Sequence, residues 1–200
     1  MAKADLAETL GAALAAPGGA SSDFDLNPEH LRPKNLALRP AAVLVAVVDL
    51  PAGPSVLLTK RSSALRHHPG QVACPGGKVD PEDPSFEAAA LREAEEEVGL
   101  DPERVEVIGR LDPHATVTGF EVTPILGLVR GEIETILETG EVEEAFFAPF
   151  DHLMDPSRYR IEGRMWQGHL RRYYAVPWGP YYIWGATARI LRRLADRMEQ

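Results

Sequence analysis

The sequence predicts a mixed α/β domain, on three observations. Apolar, β-branched runs of strand length recur along the chain between Pro- and Gly-containing turns. One strongly acidic stretch, "REAEEEVGL" (92–100), has the look of a helix end and follows closely on Pro75-Gly76-Gly77. The last twenty residues place apolar side chains on one helical stripe suited to covering a sheet. With 200 residues and 44% hydrophobic content, the chain can bury one sizeable core without being divided.

Taken in order, the elements begin with "MAKADLAETLGAALAAPGGASSDFD", an alanine-rich start. Asp5, Glu8 and the lack of a cationic beginning before an apolar stretch fit neither a signal peptide nor a transit peptide. It reads as a short helix and a flexible Gly/Ser connector over residues 1–30, ahead of a single domain over 31–200, and cytoplasmic residence is the expectation. "AAVLVAVVDL" (41–50) and "SVLLTKR" (55–61) flank Pro51-Ala52-Gly53-Pro54 and read as a hairpin. Further strands are expected at 104–111, 120–129 and 145–150, and a second hairpin at 158–166 and 169–176. In "YYIWGATARILRRLADRMEQ", Ile183, Thr187, Ile190, Leu191, Leu194 and Met198 form the buried stripe, with Arg189, Arg192, Arg193 and Arg197 largely off it.

Charge and composition narrow the function. Against 30 acidic residues stand 21 basic ones, a net charge of −9, which argues against a general nucleic-acid binder. An anionic substrate then needs a local basic patch or a metal. No apolar run approaches the roughly 18 residues that span a bilayer, so no membrane association is expected. Cys74 is the only cysteine, which excludes an intrachain disulfide and suits a reducing compartment.

The acidic stretch raises the sharpest question. Asp83-Pro84 is a natural cap and first-turn pair and Gly99 a natural stop, predicting a helix over about 84–98. At roughly 100° per residue, Glu93, Glu96 and Glu97 share one arc while Leu91, Ala94 and Val98 share the neighbouring one. Arg92 can pair with Glu96 but cannot neutralise three carboxylates. Two accounts are open: a solvated acidic face, or an oxygen site for a hard divalent cation, to which glycine backbone at Gly76-Gly77 could add carbonyls.

Those residues carry a resemblance. "REAEEEVGL" is similar to the second half of the Nudix box, G-x5-E-x7-R-E-U-x-E-E-x-G-U, with U aliphatic. In the first half Gly77 lies fifteen residues before Arg92 instead of fourteen, and Asp83 stands where the box has its first glutamate. The longer loop resembles the Nudix subfamily that hydrolyses coenzyme A, as does "LLTKRSSALRHHPGQVACPGG" (57–77), in which Cys74 replaces the usual Phe. Similarity continues at 117–127, 141–150 and 181–191, and so covers most of residues 40 to 191.

The resemblance implies a Nudix fold, a mixed sheet sandwiched between helices (α/β/α) with a loop–helix–loop motif. It also implies Mg²⁺- or Mn²⁺-dependent hydrolysis of a nucleoside diphosphate derivative. In this subfamily the small-molecule substrate is CoA or acyl-CoA, giving 4′-phosphopantetheine and adenosine 3′,5′-bisphosphate. On this basis Glu93, Glu96 and Glu97 are the metal candidates, with Arg92 orienting Glu96 and Glu141 the general-base candidate outside the helix. Arg61, Arg66, His68 and Lys78, with Gly76 and Gly77, are the substrate-binding candidates. Cys74 reads as a small buried residue rather than a nucleophile. ADP-ribose, NADH or a nucleoside triphosphate remain alternative substrates, and a non-catalytic nucleotide sensor is the alternative from another class.

Overall fold

The computed structural model describes residues 3–27, 37–65, 68–166 and 168–200. Its centre is strand β2 (Arg39–Leu50), in which Ala42, Leu44, Val45, Ala46, Val47 and Val48 are fully buried. An unbroken apolar run of this kind is what a strand covered on both faces requires. β2 turns at Pro51-Ala52 into the antiparallel β3 (Gly53–Arg61), the hairpin expected from the sequence.

On its other side β2 runs parallel to β8 (Phe120–Arg130), with Arg39 opposite Phe120 and Asp49 opposite Arg130. Pro124 lies inside β8, where a missing N–H ordinarily breaks a sheet. Here it falls where the outer neighbour of β8 changes from β7 (His114–Ala115) to β6 (Val105–Arg110), and its carbonyl accepts from Leu111 N–H at 2.9 Å. Antiparallel β9 (Val142–Pro149) and the short β4 (Val72–Ala73) pair with β3. β5 (Gly76–Lys78) pairs with the start of β2, and β1 (Ser21–Ser22) adds in parallel to β7.

Each face of the sheet has its own core. Ala89, Ala90, Ala94 and Val98 of helix α2 (Phe86–Val98) pack on Ala42, Leu44, Ala46, Val48 and Leu57. The small alanines let α2 lie close to the strands. On the opposite face Leu6, Leu10 and Ala13 of α1 (Lys3–Ala15) join Ile190, Leu191 and Leu194 of α4 (Gly185–Met198) over Val45, Val47 and Leu126. Burying each Leu or Ile contributes about 1.5–3 kcal/mol. The short α3 (Phe150–Leu153) and the ribbon of β10 (Arg160–Trp166) with β11 (His169–Ala175) complete a three-layer α/β/α arrangement, as expected.

Three local expectations change. The N-terminal helix is present, but residues 16–27 are not a loose connector: Ser21 and Ser22 register with His114 and Ala115, and Asn27 is fully buried, its amide donating to Arg172 O. The C-terminal helix begins at Gly185 instead of near Tyr181, because Ile183 O accepts from Val176 N–H and Trp184 bridges Ala175 as extended chain. Arg197, expected off the buried stripe, is itself buried. It pairs with Asp112 and donates to Leu14 O, joining α4 to α1 and the sheet.

Candidate active site

Pairing of β5 with β2 sets Ala42 opposite Gly77 and Val43 opposite Gly76, fixing the two glycines against the central strand. Gly76 has φ 154°, and a Cβ there would meet the Ala42 carbonyl and lie 2.6 Å from Val43 Cα. At Gly77 a Cβ would lie 2.5 Å from Cδ of Glu93. The second glycine therefore leaves the space that the Glu93 carboxylate occupies.

Ser85, not Asp83, caps α2: its hydroxyl accepts from Ala88 N–H at 3.1 Å. Gly99 in the left-handed region (φ 68°) ends the helix, as expected. Within it Ala94, Glu97 and Val98 are buried, whereas Glu95 and Glu96 are exposed. Glu97 is only 5% exposed and accepts from Gly76 N–H at 3.3 Å. Burial pushes its carboxyl up to about 7, against the Gly76 bond and the charge of Arg61, and with reinforcement from Glu93 and Glu141. Burial also raises the half-buried Glu93 above the usual range, opposed by Arg92.

Arg92 organises the rest. Its Nε and Nη2 both donate to Asp83 at 3.0 Å, its Nη2 to Lys78 O at 3.3 Å, and its Nη1 lies 3.1 Å from Glu93 and 3.2 Å from Glu96. The Asp83 side chain is largely covered, and the Arg92 fork holds it below the usual carboxylate range. Asp83 is a site residue that its local sequence conceals, because Asp83-Pro84 has the form of a helix cap. Its signal was position: it stands six residues after Gly77, where the box has its first glutamate.

Of the other candidates, Arg61 and Glu141 lie beside this cluster. Arg61 ends β3, and its N–H and C=O bond Gln71 O and Gly70 N–H, closing the loop between them. Glu141 O accepts from Ser62 N–H at 2.8 Å, which brings the exposed Glu141 beside Arg61. The charge of Glu141 acts on both Glu93 and Glu97, so these three carboxylates and Arg61 share one electrostatic neighbourhood. Lys78 is exposed and gives the cluster its carbonyl, not its amine. His68 is exposed in the closed loop with φ 55°, a left-handed conformation uncommon outside glycine. Arg66 lies outside the described residues. Cys74 is buried with its thiol pushed up to about 12, chiefly by burial and then by Glu97, so it stays protonated and unreactive.

Among the described residues no three carboxylate, His or Cys side chains converge into a ready metal cage. The donor set nevertheless fits a hard cation. Glu93 and Glu97 are carboxylates drawn out of water whose raised pKa values Arg92 and Arg61 do not fully offset, beside backbone that only glycine allows to come so close. Glu96, its side chain 62% exposed and paired with Arg92, stands apart from that pair.

A mixed sheet between helices, with a glycine loop leading into an acidic helix, is the architecture on which comparison with known proteins bears. The NUDIX domain family matches residues 38–167. An uncharacterized Nudix hydrolase, NudL, from Enterobacter sp. (strain 638) is 45% identical over 177 residues, covering 86% of this chain and 92% of that protein. Its counterpart from Salmonella dublin is 44% identical over 174 residues, covering 87% and 90%. Among solved structures, the Nudix hydrolase RenU from M. smegmatis superposes with a TM-score of 0.50 at 26% identity, covering 58% of this chain and 73% of that one. The chain belongs to the Nudix family and is a Nudix hydrolase, an enzyme acting on a nucleoside diphosphate derivative. Enzymes of this family generally use divalent metal ions such as Mg²⁺.

Proposed function

We propose that the enzyme hydrolyses the pyrophosphate bond of coenzyme A and its thioesters, giving 4′-phosphopantetheine and adenosine 3′,5′-bisphosphate, in the reducing cytoplasm where the free thiol of Cys74 persists. The observation that supports this reading best is the placement of Arg61. The residue belongs to the 57–77 run that resembles CoA hydrolases, and its charge acts directly on Glu97.

Glu93 and Glu97, with Glu96 at the outer edge, would hold Mg²⁺ or Mn²⁺, which when bound offsets pyrophosphate charge and lowers the pKa of a coordinated water. Arg92 pairs with both Glu93 and Glu96 and so fixes their positions relative to each other. Arg61, with Lys78, His68 and Arg66 as the other candidates, would receive the substrate phosphates through charge-assisted hydrogen bonds. Glu141 accepts the proton of the attacking water as the bond from phosphorus to the bridging oxygen breaks, and the proton balance closes when the leaving phosphate takes one up.

The decisive experiment is product identification by mass spectrometry from CoA, ADP-ribose and NADH, with Mg²⁺ and with chelator. Metal-dependent 4′-phosphopantetheine as the preferred product supports the reading. Faster turnover of ADP-ribose or NADH replaces the substrate, and saturable nucleotide binding without turnover in saturating Mg²⁺ makes the protein a sensor. For selectivity, Arg61→Ala is expected to narrow the kcat/KM gap between CoA and dephospho-CoA by roughly ten- to hundred-fold, the worth of one charge-assisted contact.

A further inference from the structure

The ribbon of β10 and β11 is a sheet of its own, and its two edges differ. The far edge of β11 is occupied. Asn27 Oδ1 accepts from Arg172 N–H at 2.7 Å and its Nδ2 donates to Arg172 O at 2.9 Å, while Trp184 bridges Ala175 further along. Arg172 thus turns its main-chain groups away from β10. In an antiparallel ladder the residue opposite turns its own away as well. That residue is Gly163, and by alternation Ile161 and Met165 also direct N–H and C=O to the outer edge of β10. Among the described residues no strand pairs with that edge.

The side chains along the open edge fall into two rows. Ile161, Met165 and, on β11, Leu170 are 54%, 64% and 44% exposed. These three share one face, because alternate residues of a strand point the same way and Leu170 stands directly opposite Met165. Gly163 lets this apolar strip close up: a Cβ there would lie 2.9 Å from Leu170 Cδ1. The other face carries Arg160, Glu162 and Arg164, charges of alternating sign. Glu162 accepts from the Tyr182 hydroxyl at 2.5 Å, which holds its carboxylate at the ribbon. An open edge backed by exposed apolar side chains is a template for another strand, and a ribbon of two strands is stabilised by gaining one.

We propose that a second copy of this chain adds to β10, antiparallel and about a two-fold axis at Gly163, so that the two ribbons join into one continuous sheet. The proposal is independent of the substrate reading above. Such an axis sets Gly163 against the partner's Gly163 and Ile161 against the partner's Met165. These are the residues whose main-chain groups face the edge, so each pair can exchange N–H···O=C bonds. On the charged face it sets Glu162 against the partner's Arg164, and by symmetry Arg164 against the partner's Glu162. On the other face the two apolar strips run together and leave water. The neighbouring register lacks this match. An axis at Glu162 would oppose Glu162 to the partner's Glu162 and Arg160 to the partner's Arg164, like charges in both cases, with their main-chain groups turned toward β11.

The test is sedimentation velocity of the full chain across the micromolar range, where the wild type should show a concentration-dependent dimer. Met165→Lys, at an exposed position, should raise the dimer Kd at least about ten-fold with wild-type circular dichroism. Charge exchange tests the register. Glu162→Arg and Arg164→Glu each oppose like charges across the axis, and each alone should weaken the dimer at least about ten-fold. Mixed in equal amounts, the two variants oppose unlike charges again and should associate about as tightly as wild type. Arg164 is exposed, so its variant still tests the pairing if Glu162→Arg, which also loses the Tyr182 bond, fails to fold. A wild type that stays monomeric, leaving the edge to a different chain, overturns the proposal. So does a dimer undiminished in folded Met165→Lys and Arg164→Glu, or a mixture of folded charge variants that associates no better than either alone.

Discussion

Alanine at Gly77 and alanine at Gly76 are expected to damage the protein in different ways. A Cβ on Gly77 would stand 2.5 Å from Glu93 Cδ and 2.6 Å from its Oε1, whereas ordinary contacts begin near 3.4 Å. The carboxylate must therefore shift by about 1 Å, and because it is the far end of a flexible side chain it can do so without moving backbone. Gly77→Ala should melt near the wild-type temperature. With Glu93 as a metal ligand, as proposed, a displacement of this size is expected to raise the Mg²⁺ concentration for half-maximal activity roughly 10- to 100-fold. At Gly76 the new Cβ would meet the Ala42 carbonyl and Val43 Cα, which are backbone of the central strand and have nowhere to go. The φ of 154° adds a strain of about 1–3 kcal/mol to that clash. A total above about 3 kcal/mol lowers the Tm of a domain this size by roughly 6–12 °C. Thermal melts in chelator, paired with Mg²⁺ titrations of turnover, separate the two effects. If Gly77→Ala melts as low as Gly76→Ala, or keeps the wild-type Mg²⁺ dependence, then Gly77 does not serve to clear Glu93.

Three further outcomes follow from the same geometry. The raised carboxyl of Glu97 favours the folded state fully below about pH 4.5 and loses that contribution as pH rises through about 7. In chelator, denaturant midpoints from pH 5 to pH 8 should therefore fall more steeply for wild type than for Glu97→Gln, by about 3 kcal/mol; parallel slopes would refute the burial argument. Asp83→Asn removes the charge that Arg92 grips with two nitrogens, and kcat should drop about ten-fold with the fold intact by circular dichroism. Unchanged kcat would show that the fork is dispensable. Glu141→Gln should lower kcat by roughly 10²- to 10⁴-fold with little change in Mg²⁺ dependence, while Glu95→Gln, on the exposed side of α2, should keep most activity. Full turnover in Glu141→Gln would return the base to a box glutamate, Glu96 first.

Much of this architecture was legible because local and tertiary demands coincide. The hairpin of β2 and β3 reads directly from its turn, and the Gly99 stop from the left-handed cap that glycine supplies. What was not legible depends on contacts distant in sequence. Helical spacing puts Glu93, Glu96 and Glu97 on one arc, but only packing against β5 decides that Glu97 goes inside while Glu96 stays in water. Asp83 looked like a cap because Asp-Pro is a good one; Ser85 took that role and left Asp83 free to reach Arg92 nine residues on. Arg197, three residues after Leu194 and seven after Ile190, sits at the edge of the buried stripe, where its charge suggests solvent, and it is covered because Asp112 and Leu14 O meet it from outside its own helix. The Gly/Ser stretch after α1 resembles a linker in composition, yet a two-residue parallel pairing with β7 was enough to fasten it.

The packing of α1 against α4 has a bearing on how the protein is made. α1 ends at Ala15 and α4 begins at Gly185, so the two halves of this layer leave the ribosome some 170 residues apart. At ordinary translation speeds that is a delay of roughly ten to thirty seconds. Throughout it Leu6 and Leu10 lack the helix that finally covers them, and the sheet face beneath stays open. The nascent chain therefore carries exposed apolar surface over most of its synthesis, and this layer can close only after its last helix has been made.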